Sequence, residues 1–253
     1  MAQFKLSRHP DNPILSADSN QAWEAGSVFN GTVIPTADGF VMLYRATNDL
    51  RSGRAGGYVS RIGLATSTDG LHFDRRPEPF IAPDQPYEAG GGCEDPRVTF
   101  INGTYYIFYT AVRTTEEAAQ VRIALATTKD WQTATKHGVV GPAGSRAKAA
   151  ALLPEAVNGH YYWYFTWEAD RPQSSILHLK IPVSADLTDP ATYRTAEALD
   201  HYDDHIVIPP AFERGQAKIR PVQRGPELGA PPLRTPNPIG SDRSGSALLG
   251  FVV

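Results

Sequence analysis

The chain has 253 residues, of which 41% are hydrophobic and 20% charged, the balance of an ordinary globular protein rather than a disordered one. A net charge of −3 argues against nucleic acid or an anionic membrane as partner, so any bound anion must be held by local arginines and lysines. The single cysteine, Cys93, excludes an internal disulfide, and with the seven histidines it forms no metal-ligand spacing.

At the N-terminus, Met1 to Pro10 lacks the apolar core of a signal peptide, and no apolar run reaches bilayer length. A soluble cytoplasmic protein is therefore expected. Asn30-Gly31-Thr32 and Asn102-Gly103-Thr104 match the glycosylation pattern, but without a secretion signal they read as turns.

The chain then repeats itself. Asp38-Gly39 introduces Phe40 to Ala46, Asn102-Gly103 introduces Thr104 to Ala111, and Asn158-Gly159 introduces His160 to Trp167. Each is a turn dipeptide followed by an aromatic or β-branched run, which predicts a hairpin feeding a strand. A second element follows each first one: Arg61 to Phe73, Arg122 to Trp131 and, more weakly, Ile176 to Leu187. The paired elements recur at roughly fifty to sixty residues, which predicts an all-β propeller with long loops. Thr115 to Gln120 and Arg146 to Ala151 are the helix-like stretches, too short to build a layer of helices.

Between the first two repeats lies Gly90-Gly91-Gly92-Cys93-Glu94-Asp95-Pro96-Arg97, a glycine run that delivers two carboxylates and an arginine onto an aromatic strand. In an extended segment Glu94 and Asp95 point to opposite faces, and Pro96 biases Asp95 toward that extended conformation. One rigidly held carboxylate beside an arginine suits an acid catalyst; a strand-entry turn with a surface ion pair is the plainer alternative. Cys93, with no readable histidine partner, reads as a packing residue. From Ala211 onward the chain is rich in proline, glycine and arginine, with a linker-like Ser241 to Ser246 and one short strand expected within Ala247 to Val253. One domain is expected over 1–253, with regular blades over about 28–235 and an atypical tail over 236–253.

These motifs, taken in order, resemble glycoside hydrolase family 130, the β-mannoside phosphorylases and β-1,2-mannosidases. The resemblance runs through Asn12-Pro13-Ile14-Leu15, Trp23-Glu24, Val28-Phe29-Asn30, Tyr44-Arg45-Ala46, Ser60-Arg61-Ile62-Gly63, Cys93-Glu94-Asp95-Pro96-Arg97, Tyr109-Thr110-Ala111 and Lys148 to Glu155. It implies a five-bladed β-propeller with the site in its central funnel, the C-terminal blade here incomplete. It also implies Asp95 as proton donor, acting through the sugar's own 3-hydroxyl, while phosphate attacks the anomeric carbon with inversion.

By the same resemblance, Trp23, Asn30, Arg45, Ser60, Arg61 and Glu94 bind sugar. Arg113, Arg122 and Lys148 bind phosphate, which is a co-substrate; no cofactor or metal is implied. The substrate would be a β-linked manno-oligosaccharide or mannosyl-glucose, and the protein could form a homo-oligomer. The rivals are an inverting β-1,2-mannosidase, with Glu24, Glu88, Glu155 or Glu168 activating water, and an inactive carbohydrate-binding propeller. Trp23, Tyr44, Tyr87, Tyr109 and Trp167 are stacking candidates that more often fill cores.

The chain also departs from the family. Ala149 follows Lys148 where relatives carry aspartate, no histidine stands in Trp167-Glu168-Ala169-Asp170-Arg171-Pro172, and the final Gly-Trp strand is missing.

Overall fold

The computed structural model describes residues 7–49, 57–116, 118–142, 146–167, 175–194 and 206–208. Glu168 and the tail from Ala211 onward, including the expected strand in Ala247 to Val253, lie outside the described residues.

The described part is all-β. β1 (Ser27–Thr36), β2 (Gly39–Thr47), β3 (Ser60–Ser67) and β4 (Asp74–Arg75) form an antiparallel meander. β5 (Gly90–Ile101), β6 (Thr104–Thr114), β7 (Ala119–Thr128) and β8 (Thr135–Val140) form a second. β9 (Ala147–Leu152), β10 (His160–Trp167), β11 (Ser175–Pro182) and β12 (Ile206–Ile208) form a third. One parallel bridge, Ser60 to Gly92, joins the first meander to the second.

The predicted hairpins are the turns between first and second strands. Asn102 and Gly103 have φ of 49° and 79°, Asn158 and Gly159 of 51° and 76°, the positive pair that an Asn-Gly hairpin turn requires. The repeated second element becomes the third strand each time. Both helix-like stretches contribute to strands instead: Ala147–Leu152 is β9 and Ala119 opens β7. In β9, Ala147 and Ala151 pair with β10, so the sheet overrides the helical preference of alanine.

The three sheets stack face to face. Alternate side chains of β2 and β3 (Val41, Leu43, Ile62, Leu64) meet Ile107, Tyr109 and Ala111 of β6, and Cys93 is buried among them. The opposite face of the second meander (Phe108, Ile123, Leu125) meets Leu152, Trp163, Phe165 and Leu177 of the third. Met42 and Tyr44, on the outer face of the first, are covered by Ile14, Leu15 and Trp23 from the N-terminal segment. In this stack the first strand of the second sheet, β5, lies against the first strands of its neighbours, β1 and β9.

Candidate active site

Each first strand carries the same irregularity. In β1, Asn30 and Gly31 stand opposite the one residue Tyr44, between the pairs Phe29–Arg45 and Thr32–Leu43. In β5, Asp95 and Pro96 stand opposite Tyr109, and in β9, Ala149 and Ala150 stand opposite Phe165. These are β-bulges, and the first residue of each is left-handed: Asn30 at φ 50°, Asp95 at 52°, Ala149 at 51°.

The bulge corrects two sequence expectations. Asp95 is not extended despite Pro96, and the reversal breaks strand alternation, so Glu94 and Asp95 converge instead of diverging. Asn30 likewise belongs to a bulge rather than a turn. Asparagine and aspartate are the non-glycine residues that tolerate this conformation best.

Arg45, only 7% exposed, is the hub on which the two carboxylates meet. Its Nη2 donates to Glu94 Oε1 at 2.6 Å and its Nη1 to Asp95 Oδ1 at 3.2 Å. The guanidinium also donates to Ser60 Oγ at 3.1 Å and Tyr58 Oη at 3.2 Å, and lies 4.7 Å from the centre of the Phe29 ring. Ser60 Oγ donates to Glu94 Oε1 at 3.1 Å, and Asn30 Nδ2 to Asp95 Oδ1 at 2.7 Å. Five predicted site residues, Asn30, Arg45, Ser60, Glu94 and Asp95, are therefore one hydrogen-bonded cluster.

Within that cluster the two acids differ. Burial pushes the Glu94 carboxyl up, Arg45 pulls it back, and the Asp95 charge adds to the rise. Lys148, on β9, also favours the Glu94 anion, which puts its charge within electrostatic reach of the cluster. Asp95 uses Oδ1 for both of its bonds, and its Oδ2 makes none with a described residue.

The other predicted residues stand apart. Trp23 donates its indole N–H to the Pro77 carbonyl at 2.9 Å and stacks on Tyr44 at 6.3 Å, a packing role. Arg61 donates to the Val59 carbonyl at 3.4 Å. Arg113 on β6 is exposed and Arg122 on β7 half-buried, and neither side chain makes a hydrogen bond or ion pair with a described residue.

Tyr44 and Tyr109 are buried, and each donates its hydroxyl to a buried glutamate: Tyr44 to Glu24 at 2.9 Å, Tyr109 to Glu88 at 2.6 Å. Those glutamates are in turn paired with Arg75 and Lys136, at 2.8 and 2.7 Å. Both carboxylates are thus consumed by structure, while Glu155 lies exposed. Burial likewise raises the Cys93 thiol well above its ordinary range, as suits a packing residue.

Sequence reasoning missed Tyr58 and Phe29. Phe29 is the exposed aromatic beside the cluster, at 38% exposure, and its signal was its place immediately before Asn30. Among the described residues no group of three or more histidines, cysteines and carboxylates could hold a metal.

The family model described as β-1,4-mannooligosaccharide phosphorylase matches residues 5–181, and the chain belongs to this family, glycoside hydrolase family 130. It is 38% identical over 161 residues to a 1,2-β-oligomannan phosphorylase of Thermoanaerobacter sp. (strain X514), covering 62% of this chain and 52% of that protein. A β-1,2-mannobiose phosphorylase of the same organism is 35% identical over 164 residues, covering 62% and 53%. The chain spans about half the length of the curated relatives it matches. Among solved structures, a glycosyl hydrolase from Bacteroides ovatus aligns with a TM-score of 0.59 at 28% identity, over 72% of this chain and 55% of that one.

Proposed function

We propose that the protein is an inverting β-mannoside phosphorylase that cleaves β-1,2-linked manno-oligosaccharides with inorganic phosphate, giving α-mannose 1-phosphate. The observation that carries this reading is the Asp95 carboxyl. Asn30 and Arg45 both donate to Oδ1, which leaves Oδ2 to hold and deliver a proton. The three repeated sheets are read as blades of a five-bladed propeller whose bulged first strands line the funnel. What supports the linkage is the similarity to a 1,2-β-oligomannan phosphorylase and a β-1,2-mannobiose phosphorylase.

Asp95 protonates the departing glycosidic oxygen, directly or through a substrate hydroxyl, as the bond to the anomeric carbon breaks. A phosphate oxygen attacks that carbon from the opposite face, so configuration inverts and the proton lost by Asp95 leaves on the released sugar. Lys148, with Arg113 and Arg122, supplies the positive charge that a phosphate dianion needs. Arg45, Ser60, Glu94 and Asn30 hold the mannosyl unit, and the open ring of Phe29 offers it an apolar plate.

The test is β-1,2-mannobiose incubated with and without phosphate, the products read by NMR. Phosphate-dependent α-mannose 1-phosphate is expected. Free mannose released at equal rates in both tubes would identify a hydrolase, and binding without turnover a carbohydrate-binding propeller.

A further inference from the structure

The three first-strand bulges superimpose in register and conformation, but not in chemistry. The left-handed position holds Asn30 in the first sheet and Asp95 in the second, and the two side chains join at 2.7 Å across the boundary between sheets. In the third it holds Ala149, exposed, with no group to offer. Alanine is poorly suited to this backbone: its Cβ crowds the following carbonyl, a cost that glycine avoids and asparagine offsets by local hydrogen bonding. The fold therefore gives no reason to prefer alanine here.

What alanine does is leave a vertex of the site empty. By the geometry that lets Asn30 reach Asp95, a polar side chain at 149 would project from β9, which lies against β5. It would stand next to Lys148, whose charge acts on Glu94, and on the approach to an Asp95 carboxylate whose Oδ2 has no described partner.

We infer that Ala149 is a specificity-determining position: the vacant vertex leaves one ring hydroxyl of the bound glycoside without a protein partner, so the enzyme discriminates weakly between sugars that differ at that hydroxyl. A side chain that hydrogen-bonds a substrate hydroxyl favours the sugar that presents it over an epimer that does not, by about the worth of that bond; an empty vertex gives no such preference. This inference rests on the reading of the site as mannoside-binding.

The experiment compares wild type, Ala149→Asn and Ala149→Gly. Methyl β-mannoside and its epimers at carbons 2, 3 and 4 (methyl β-glucoside, β-altroside and β-taloside) are used as competitive inhibitors of β-1,2-mannobiose phosphorolysis. Both variants should melt higher than wild type, since both relieve the left-handed alanine. Only Ala149→Asn should shift the ratio of the mannoside's inhibition constant to that of one epimer, by about tenfold, the worth of one hydrogen bond, while Ala149→Gly keeps every ratio within about twofold. Equal shifts in both variants would trace the effect to the backbone and overturn the inference, as would unchanged ratios in enzymes that turn over normally. Wild-type protein that neither phosphorolyses nor hydrolyses the disaccharide would overturn the mannosidic reading first, and the inference with it.

Discussion

At the scale of single residues, Glu94 and Asp95 share Arg45 yet are placed for different work. Glu94 accepts from both Arg45 and Ser60 and has a side chain only 15% exposed; Asp95 has one oxygen without a partner among the described residues. Asp95→Asn keeps the acceptor for Asn30 and Arg45 but cannot give up a proton. Phosphorolysis should fall by about 10²–10⁴-fold with the melting temperature nearly unchanged, and a folded variant with full turnover would remove Asp95 from its role. Glu94→Gln should also act on stability, with a defined sign. Because burial raises the folded-state value of Glu94 above the ordinary 4.5, the native state holds this proton more tightly than the unfolded chain. Its contribution is present below pH 4.5 and is lost as pH rises through the folded-state value. Urea melts across that window should show the stability of wild type falling relative to Glu94→Gln; a constant difference would contradict the assignment.

The strands and the links between them show a second repeat, this one structural. The tyrosine opposite each bulge, Tyr44 or Tyr109, donates to a glutamate ahead of the first strand, and a cation on the fourth strand (Arg75 or Lys136) closes the set. The link ties the entry of the bulged strand to the rim of its own sheet. In the third sheet the position is Phe165, buried among Trp163 and Leu177 without a hydroxyl. Tyr109→Phe leaves Glu88 fully buried with one donor fewer, and should cost about 1.5–3 kcal/mol in urea denaturation, as bonds to charged groups do. A loss under about 0.5 kcal/mol, typical of a surface substitution, would show that Lys136 and the backbone amides of Asp84 and Gln85 satisfy Glu88 without the tyrosine. The hairpins were legible in the sequence because Asn-Gly turn chemistry and aromatic alternation are local signals. The glutamate links were not, since Glu24 and Glu88 lie 20 and 21 residues before their tyrosines and reveal themselves only when the repeats are superimposed.

Across the whole molecule, the site depends on how neighbouring sheets are joined, and here local sequence signals mislead. Pro96 favours an extended Asp95, yet pairing with β6 on both sides of the bulge forces the left-handed turn that brings Asp95 to Asn30 of the adjacent sheet. The cluster thus spans two sheets, and among the described residues the backbone joint between them is the Ser60–Gly92 bridge. The glycine run that delivers the two carboxylates is a close-packed seam at Gly92. A Cβ added there would collide with the Ser60 carbonyl oxygen, and φ is 97°. The collision is with backbone, so relief requires one sheet to shift against the other, which would carry Ser60 away from Glu94 and Arg45. Gly92→Ala should therefore lose more than about 3 kcal/mol of stability together with activity. Gly103→Ala, at a similar φ of 79° but with open space around it, should lose only about 1–2 kcal/mol and keep its turnover. Denaturant melts and phosphorolysis rates on the two variants separate backbone strain from the seam. Equal losses at both positions would mean that the joint between sheets does not hold the site together.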